Sequence, residues 1–339
     1  MSRLGVVGSG SIVPFHLDAL KAVGFEITNI GSRPGSEKTA ALAAKYGATA
    51  LDSWQEVIES NVDAFLIAPE TSVTPEILAA AIKTGKPILV EKPVAYSSAE
   101  VAALGNPAGV LVGYNRRHYS SAAAAKRLIE ESSAATFNAA IPEASWAPDM
   151  TDDKKRAILL GNSVHVLDLL QHLFGELSVV GVTGVQNETG LVSRAVSLES
   201  ASGAVGTCII TFGSPSSYFV DLHTTGKSAA LKPIEFFNEY VGVQVIDPTP
   251  EVPLRHYVPT RGAEFKLSED DLAFKPGFLS QSRELYALAA GSVLGECRSA
   301  SLADAARVKR DEIASVERQQ QQQRTVLLAQ QQQRQTVLA

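Results

Sequence analysis

The 339-residue sequence predicts an α/β protein of two units. The first is a doubly wound parallel sheet, and the second is an α+β unit on a large, open, mostly antiparallel sheet. Short apolar runs alternate with helical stretches at the start of the chain, which implies parallel strands covered by helices on both faces. Further on, strand-like runs follow one another without helices between them, which implies antiparallel pairing. A glycine pair directly follows the first apolar run.

Leu4 to Val7 reads as the first strand, Ile12 to Val23 as a helix and Ile27 to Ile30 as the second strand. Ser36 to Tyr46 is alanine-rich and helical. Val62 to Ala68 is a buried strand, Pro75 to Lys83 a helix, and Pro87 to Val90 and Val110 to Val112 are strands. The second unit opens with helices over Ser120 to Glu131 and Val164 to Phe174, the latter stopped by Gly175. Its best strands are Val179 to Gln186, Ala195 to Leu198, Val205 to Phe212, Phe219 to Thr224 and Tyr240 to Ile246. Phe278 to Ala290 and Leu302 to Val316 close it as helices. The expected organisation is 1–115, 116–317 and a glutamine-rich tail at 318–339. The tail is a near-repeat of QQQQRTVLLA and is assigned no chemistry.

Composition excludes several classes. Hydrophobic residues make up 45% and charged residues 19%, a globular balance. With 36 acidic against 30 basic residues the net charge is −6, which points to neither nucleic acid nor an anionic membrane. No apolar run is long enough to span a bilayer, and the chain enters a strand at once, so a cytoplasmic protein is expected. Two cysteines, Cys208 and Cys297, make neither a disulfide scaffold nor a cysteine zinc site. The sequon Asn187-Glu188-Thr189 carries no weight without an export signal.

Gly8-Ser9-Gly10-Ser11-Ile12-Val13 stands between a strand and a helix. Gly8 permits a tight turn and Gly10 lets the backbone approach a pyrophosphate, which the free N–H groups of the helix start would receive. Gly8, Gly10, Ser11 and Ile12 are therefore candidate cofactor contacts. Val13, at the third position of the pattern, is expected to loosen helix–strand packing. At the end of the second strand Ser32 and Arg33 replace the acidic residue that would hold ribose hydroxyls. A hydroxyl and a guanidinium suit a 2′-phosphate, which favours NADP over NAD; the alternative is an Arg33 that stacks on adenine or lies in solvent.

Glu91-Lys92-Pro93 directly follows a buried strand, at the end of the sheet where open α/β folds bind ligands. Asn162, His165, Asp168 and His172 fall on one helix face. His165 reads in three ways: a satisfied core residue, half of a metal site, or an acid–base group. His-x-x-Asp without a third ligand is thin evidence for metal, so none is expected. Tyr114-Asn115-Arg116-Arg117 lies at the exit of a strand. Tyr114 and Asn115 read as cofactor or substrate contacts, while the two arginines read equally as contacts or as a solvated hinge. His16 reads as structural.

These motifs together resemble the Gfo/Idh/MocA oxidoreductases, typified by glucose–fructose oxidoreductase and inositol dehydrogenase. The resemblance runs through the glycine loop, Ala68-Pro69-Glu70, the run Ala80 to Pro93, Gly113 to Arg117, His165 to Gly175 and Gly277-Phe278, and fades after Val316. It implies a Rossmann domain followed by an open-sheet domain. It also implies an NAD(P)-dependent oxidoreductase that moves a hydride between nicotinamide and a ring carbon of a sugar, cyclitol or related polyol. Lys92 and His165 would handle the hydroxyl proton. Glu91, Lys92, Ala68 and Pro69 would meet the cofactor, and Tyr114, Asn115, Asn162 and Asp168 the substrate. The open sheet would form a homodimer or homotetramer. One position departs: many catalytic members carry aspartate four residues before the histidine, where this chain has Gly161. That departure keeps a second expectation in view, an inactive dinucleotide-binding sensor of the same fold.

Overall fold

The computed structural model describes residues 1–132, 135–143, 159–187, 190–292 and 298–308. The glutamine-rich tail, Cys297, the helix expected beyond residue 308 and two residues of the sequon lie outside them. Among the described residues no helix is long and apolar enough to cross a membrane.

The N-terminal sheet contains β1 (Ser2–Val7), β2 (Phe25–Gly31), β3 (Thr49–Leu51), β4 (Ala64–Ile67), β5 (Ile88–Val90) and β6 (Val110–Val112). Their order is β3-β2-β1-β4-β5-β6 and every pairing is parallel. This is the doubly wound order whose reversal point lies between β1 and β4. Helices α1 (Val13–Ala22), α2 (Glu37–Tyr46), α3 (Trp54–Glu59), α4 (Thr74–Ile82) and α5 (Ser98–Ala103) cover the sheet. The strands are apolar on both faces, as burial under helices on both sides requires: Leu4, Val6, Phe65, Leu66, Ile67, Ile88, Leu89 and Val90 are all inaccessible. Val13 does not loosen the packing. It is itself fully buried, in one cluster with Leu4, Val6, Leu17 and Ile30.

The second sheet has eight strands in the order β14-β13-β12-β11-β7-β10-β9-β8. They are β7 (Ala135–Glu143), β8 (Leu177–Asn187), β9 (Gly190–Ser200), β10 (Val205–Phe212), β11 (Phe219–Thr224), β12 (Lys227–Leu231), β13 (Asn238–Ile246) and β14 (His256–Arg261). Only the β7–β10 pair is parallel. Along β7 and β10 the side chains alternate, so that Phe137, Ala139, Ile141, Cys208, Ile210 and Phe212 are buried while Ile209 faces out. Helices α6 (Ser120–Glu130) and α7 (Val164–Phe174) belong to the same core, with Phe137 stacked on Phe174 at 4.3 Å.

The two sheets are joined by buried contacts. After β6 a short 3₁₀ turn (Asn115–His118) leads into α6. Asn115 donates to the carbonyl of Pro276 at 3.0 Å, and Gln281 of α9 (Phe278–Ala289) donates to that of Val112 at 3.0 Å. Gly277 precedes α9 at φ +80°, where a Cβ would run into the Asn115 carbonyl; glycine is required there by both conformation and space. Between Asn115 and α9 lies the short helix α8 (Glu269–Ala273) in sequence, whose Asp271 accepts from Ser120 and from Gly277. The chain thereby returns to the first unit, with Tyr286 edge-on to Phe25 at 5.1 Å.

Candidate active site

β1 ends at Gly8, whose φ of +108° and close approach to the Ala68 carbonyl leave no room for a side chain. Its N–H donates to the Gly31 carbonyl at 2.9 Å, so the turn is pinned across the ends of β1, β2 and β4. Gly10 faces open space, with no atom within 4 Å of where a Cβ would stand. Ile12 caps α1 without a side-chain hydrogen bond, and Pro14 in the first turn has no N–H to satisfy. This cradle, open beside a helix start and closed to side chains at Gly8, fits the pyrophosphate of a dinucleotide.

At the end of β2 the Ser32 hydroxyl pairs with Thr39 Oγ1, which in turn bonds Ser9 Oγ at 3.0 Å. These bonds tie the glycine loop to α2. Arg33 is exposed and makes no side-chain hydrogen bond or ion pair with another described residue.

Across the first turn of α1 opens a cleft of about 510 Å³. It is lined by Ile12, Ala68, Pro69, Glu91 and Lys92 from the first unit and by Asn162 and His165 from the second. Asn115, Arg116, Tyr119, Tyr218, Lys275 and Phe278 complete it. Glu91 follows β5, and its Oε1 lies 2.6 Å from His16 Nε2 while its Oε2 accepts from the Lys92 N–H. His16 thus fixes the Glu91 carboxylate against α1, a positioning role.

Lys92 Nζ donates to the Gly161 carbonyl at 2.7 Å. Gly161 lies in a π-turn, Leu159–Ser163, directly before α7. That irregular turn leaves its carbonyl available to a residue of the other unit. Burial lowers the Lys92 ammonium below the ordinary lysine range; Glu91 opposes the shift, while Arg116 and Lys275 add to it. His165, one turn further on, is held well below the ordinary histidine range, chiefly by burial and then by Lys92, Arg116 and Lys275. Its Nδ1 is buried without a partner among the described residues, and its ring stands edge-on to Tyr114 at 6.0 Å.

Other expected contacts fall elsewhere. Tyr114 is completely buried and does not line the cleft. Asp168 is inaccessible and receives two hydrogen bonds from Arg117, Nε to Oδ2 at 2.8 Å and Nη2 to Oδ1 at 2.6 Å. A step of three residues turns a side chain about 60° from alignment and moves it roughly 4.5 Å along the helix, which takes Asp168 away from the opening that His165 faces. Arg117 is no solvated hinge residue, being 7% exposed. Asn115 lines the cleft, although its amide donates to Pro276.

Sequence reasoning passed over Tyr119, Glu143, Tyr218, Lys275 and a firm role for Arg116. The buried Glu143 ends β7 and accepts from Ser163 Oγ at 2.6 Å, Tyr218 Oη at 3.2 Å and Asn162 Nδ2 at 3.4 Å. It thereby orders the turn that holds Gly161. Glu143 and Tyr218 lie in no local motif, whereas Arg116 is inside Tyr114-Asn115-Arg116-Arg117, Tyr119 follows it by two residues and Lys275 precedes Gly277-Phe278 by two. Among the described residues there is no group of three or more His, Cys, Asp and Glu side chains suited to a metal.

Residues 2–108 match the family described as "Oxidoreductase family, NAD-binding Rossmann fold". Over 237 residues the chain is 28% identical to 4-carboxy-2-hydroxymuconate-6-semialdehyde dehydrogenase of Sphingobium sp., a match covering 62% of this chain and 72% of that protein. It is 25% identical to inositol 2-dehydrogenase 2 of Saccharopolyspora erythraea, over 60% of this chain and 64% of that one. Levoglucosan dehydrogenase, solved with NADH and levoglucosan, superposes with a TM-score of 0.72 at 20% identity, over 93% of this chain and 96% of its own. That last likeness shows the shared fold.

Proposed function

We propose that this chain, whose nucleotide-binding domain belongs to the Gfo/Idh/MocA oxidoreductases, moves a hydride between nicotinamide and a CH–OH carbon of a sugar, cyclitol or related polyol. The observation that carries the reading is the single cleft in which Lys92, at the end of a parallel strand, and His165, from the other unit, both present their side chains beside the glycine cradle. In this reading residues 1–115 hold the dinucleotide and residues 116–317 hold the substrate. Inositol 2-dehydrogenase and levoglucosan dehydrogenase among the similar proteins support the substrate class.

The dinucleotide supplies the hydride acceptor or donor. Gly8, Gly10, Ser11 and Ile12 would receive its pyrophosphate, and Ala68, Pro69 and Glu91 would border its nicotinamide half. We assign NADP as the preferred form, because β2 is followed by Ser32 and by an Arg33 without a side-chain partner among the described residues, rather than by a carboxylate.

The proton belongs to the protein. A histidine held below its ordinary range is neutral at pH 7 and accepts the hydroxyl proton as the carbon gives up hydride. Lys92 is oriented by the Gly161 carbonyl through one of its N–H bonds, which leaves the others for the substrate oxygen. Asn162 adds a neutral amide at the same wall. The open sheet would pair subunits; Val243, Val245 and Tyr257 lie exposed on one face of the β13–β14 pair, and Ile246 and Val258 on the other.

A screen of nicotinamide reduction over sugars, cyclitols and nucleotide sugars tests the reading. Turnover of a polyol supports it. Quenching of intrinsic fluorescence by the dinucleotide, with no turnover across the panel, supports the sensor instead.

A further inference from the structure

The charges around the cleft do not balance. Lys92, Arg116 and Lys275 all line it. Two carboxylates stand near them, and both are already engaged. Glu91 is held by His16 and by the Lys92 backbone N–H. Glu143 accepts from Ser163, Tyr218 and Asn162. Neither makes an ion pair with Arg116 or Lys275 among the described residues.

Arg116 is the strongest case. Its guanidinium carbon stands over the Tyr218 ring, 4.8 Å from the centroid, and the guanidinium also hydrogen-bonds the Tyr119 hydroxyl. Its Nη1 is buried and has no hydrogen-bond partner among the described residues. A buried N–H of a charged group without an acceptor is costly, so the free Nη1 calls for an acceptor from a ligand. Lys275 stands at the same opening, its Nζ 5.0 Å from the Phe15 ring and 5.4 Å from that of Phe278. A guanidinium steadied by two aromatic residues, with Nη1 still free, can receive a carboxylate oxygen. A neutral polyol would leave this excess of positive charge unanswered.

We propose that the substrate of this cleft is a polyol that carries a carboxylate, a sugar acid or similar hydroxy acid, with the carboxylate seated on Arg116 and Lys275. The inference rests on the polyol-oxidoreductase reading and narrows it. The hydroxyl carbon would then meet Lys92 and His165, which line the same cleft.

Matched pairs test this: D-glucuronate against D-glucose and D-gluconate against D-glucitol, each with the dinucleotide-loaded protein. Two readouts are taken, kcat/KM and the calorimetric Kd. The acids should be preferred by about tenfold or more, and Arg116→Gln should reduce the acid-to-neutral ratio about tenfold. Equal or better use of the neutral partners overturns the inference while leaving the oxidoreductase reading intact. If nothing turns over, that reading fails, and calorimetry still decides the charge preference: tighter binding of the acids, lost in Arg116→Gln, supports it, and no preference overturns it. Should Arg116→Gln instead weaken the dinucleotide and leave the acid preference unchanged, the guanidinium serves the cofactor and the inference is overturned.

Discussion

Replacing Asp168 by alanine removes one partner of a buried, two-bond ion pair. Asp168 is inaccessible and Arg117 is 7% exposed, so the orphaned guanidinium cannot turn to water without moving the 3₁₀ turn that carries it. Breaking a buried pair in this way costs about 3–5 kcal/mol. Asp304 lies 3.6 Å from Arg117 Nη1 and remains as a partial counter-charge, which places the loss at the lower end, about 3 kcal/mol. At about 2–4 °C per kcal/mol for a cooperative unit of 150–250 residues, the midpoint should fall by roughly 6–12 °C. Calorimetric melting of the dinucleotide-free protein measures this. The double variant Arg117→Met with Asp168→Leu should recover most of the loss, because an apolar pair of similar volume replaces the ions without leaving a charge behind. A drop below about 2 °C together with a raised KM for the polyol would refute the reasoning: Asp168 would then meet substrate, as its spacing from His165 implied in the sequence.

Other outcomes are expected at the site. Lys92→Met and His165→Ala should each slow hydride transfer by about 10²–10⁴ while dinucleotide binding persists, and the double variant should lose less than the product; near-full turnover in His165→Ala returns that residue to the core. Arg33→Ala should weaken NADP by about tenfold or more and leave NAD nearly unchanged, read by fluorescence titration. Gly161→Asp, which has open space at its Cβ, should place a carboxylate beside Lys92 and move the pH–rate profile upward; an unmoved profile shows that Lys92 does not titrate in turnover. Burial holds His172 down at about 3, followed by the charges of Arg117 and Lys126. The unfolded chain therefore takes up that proton first, near pH 6.5, so stability should be complete above about 6.5 and fall as pH drops toward 3. An equal urea midpoint at pH 7 and pH 5 contradicts this.

Most of the frame was legible because it is local. The strand at Leu4 to Val7, the glycine pair and the helix Val164–Phe174 are each set by a few neighbouring residues, and the structure places them within a residue or two of expectation. The missed elements carry weak local signals. β3 is three residues long, and β7 mixes Thr136, Phe137 and Ile141 with three alanines, Asn138 and Pro142, so its strand character comes largely from pairing with β10 and β11. α5 has only six residues, although its capping box of Ser97 and Glu100 was a readable start signal. The cleft was half legible. Lys92, His165 and Arg116 sit in motifs, while Tyr218 reaches the cleft, and Glu143 the turn beside it, through tertiary packing that no spacing encodes. Asp168 misled because helical spacing reports a shared face but not which neighbour waits there.

Gly161 shows how a missing side chain can be replaced by the backbone. Its substitution for aspartate was the strongest sequence argument for a silent, cofactor-binding protein. Yet Lys92 is anchored at that same residue, by the main-chain carbonyl that the π-turn exposes. An aspartate there would do two things at once: it would orient the ammonium and raise its pKa by supplying a negative charge. A carbonyl does only the first. Burial then sets the proton affinity of Lys92, with Glu91 and then Glu143 pulling the other way, and the result lies below the ordinary range. A lysine so held gives up a proton more readily near neutral pH than one paired with a carboxylate. The glycine therefore removes a charge from the proposed proton relay without removing its geometry: the ammonium stays anchored at the wall of the cleft that His165 also lines.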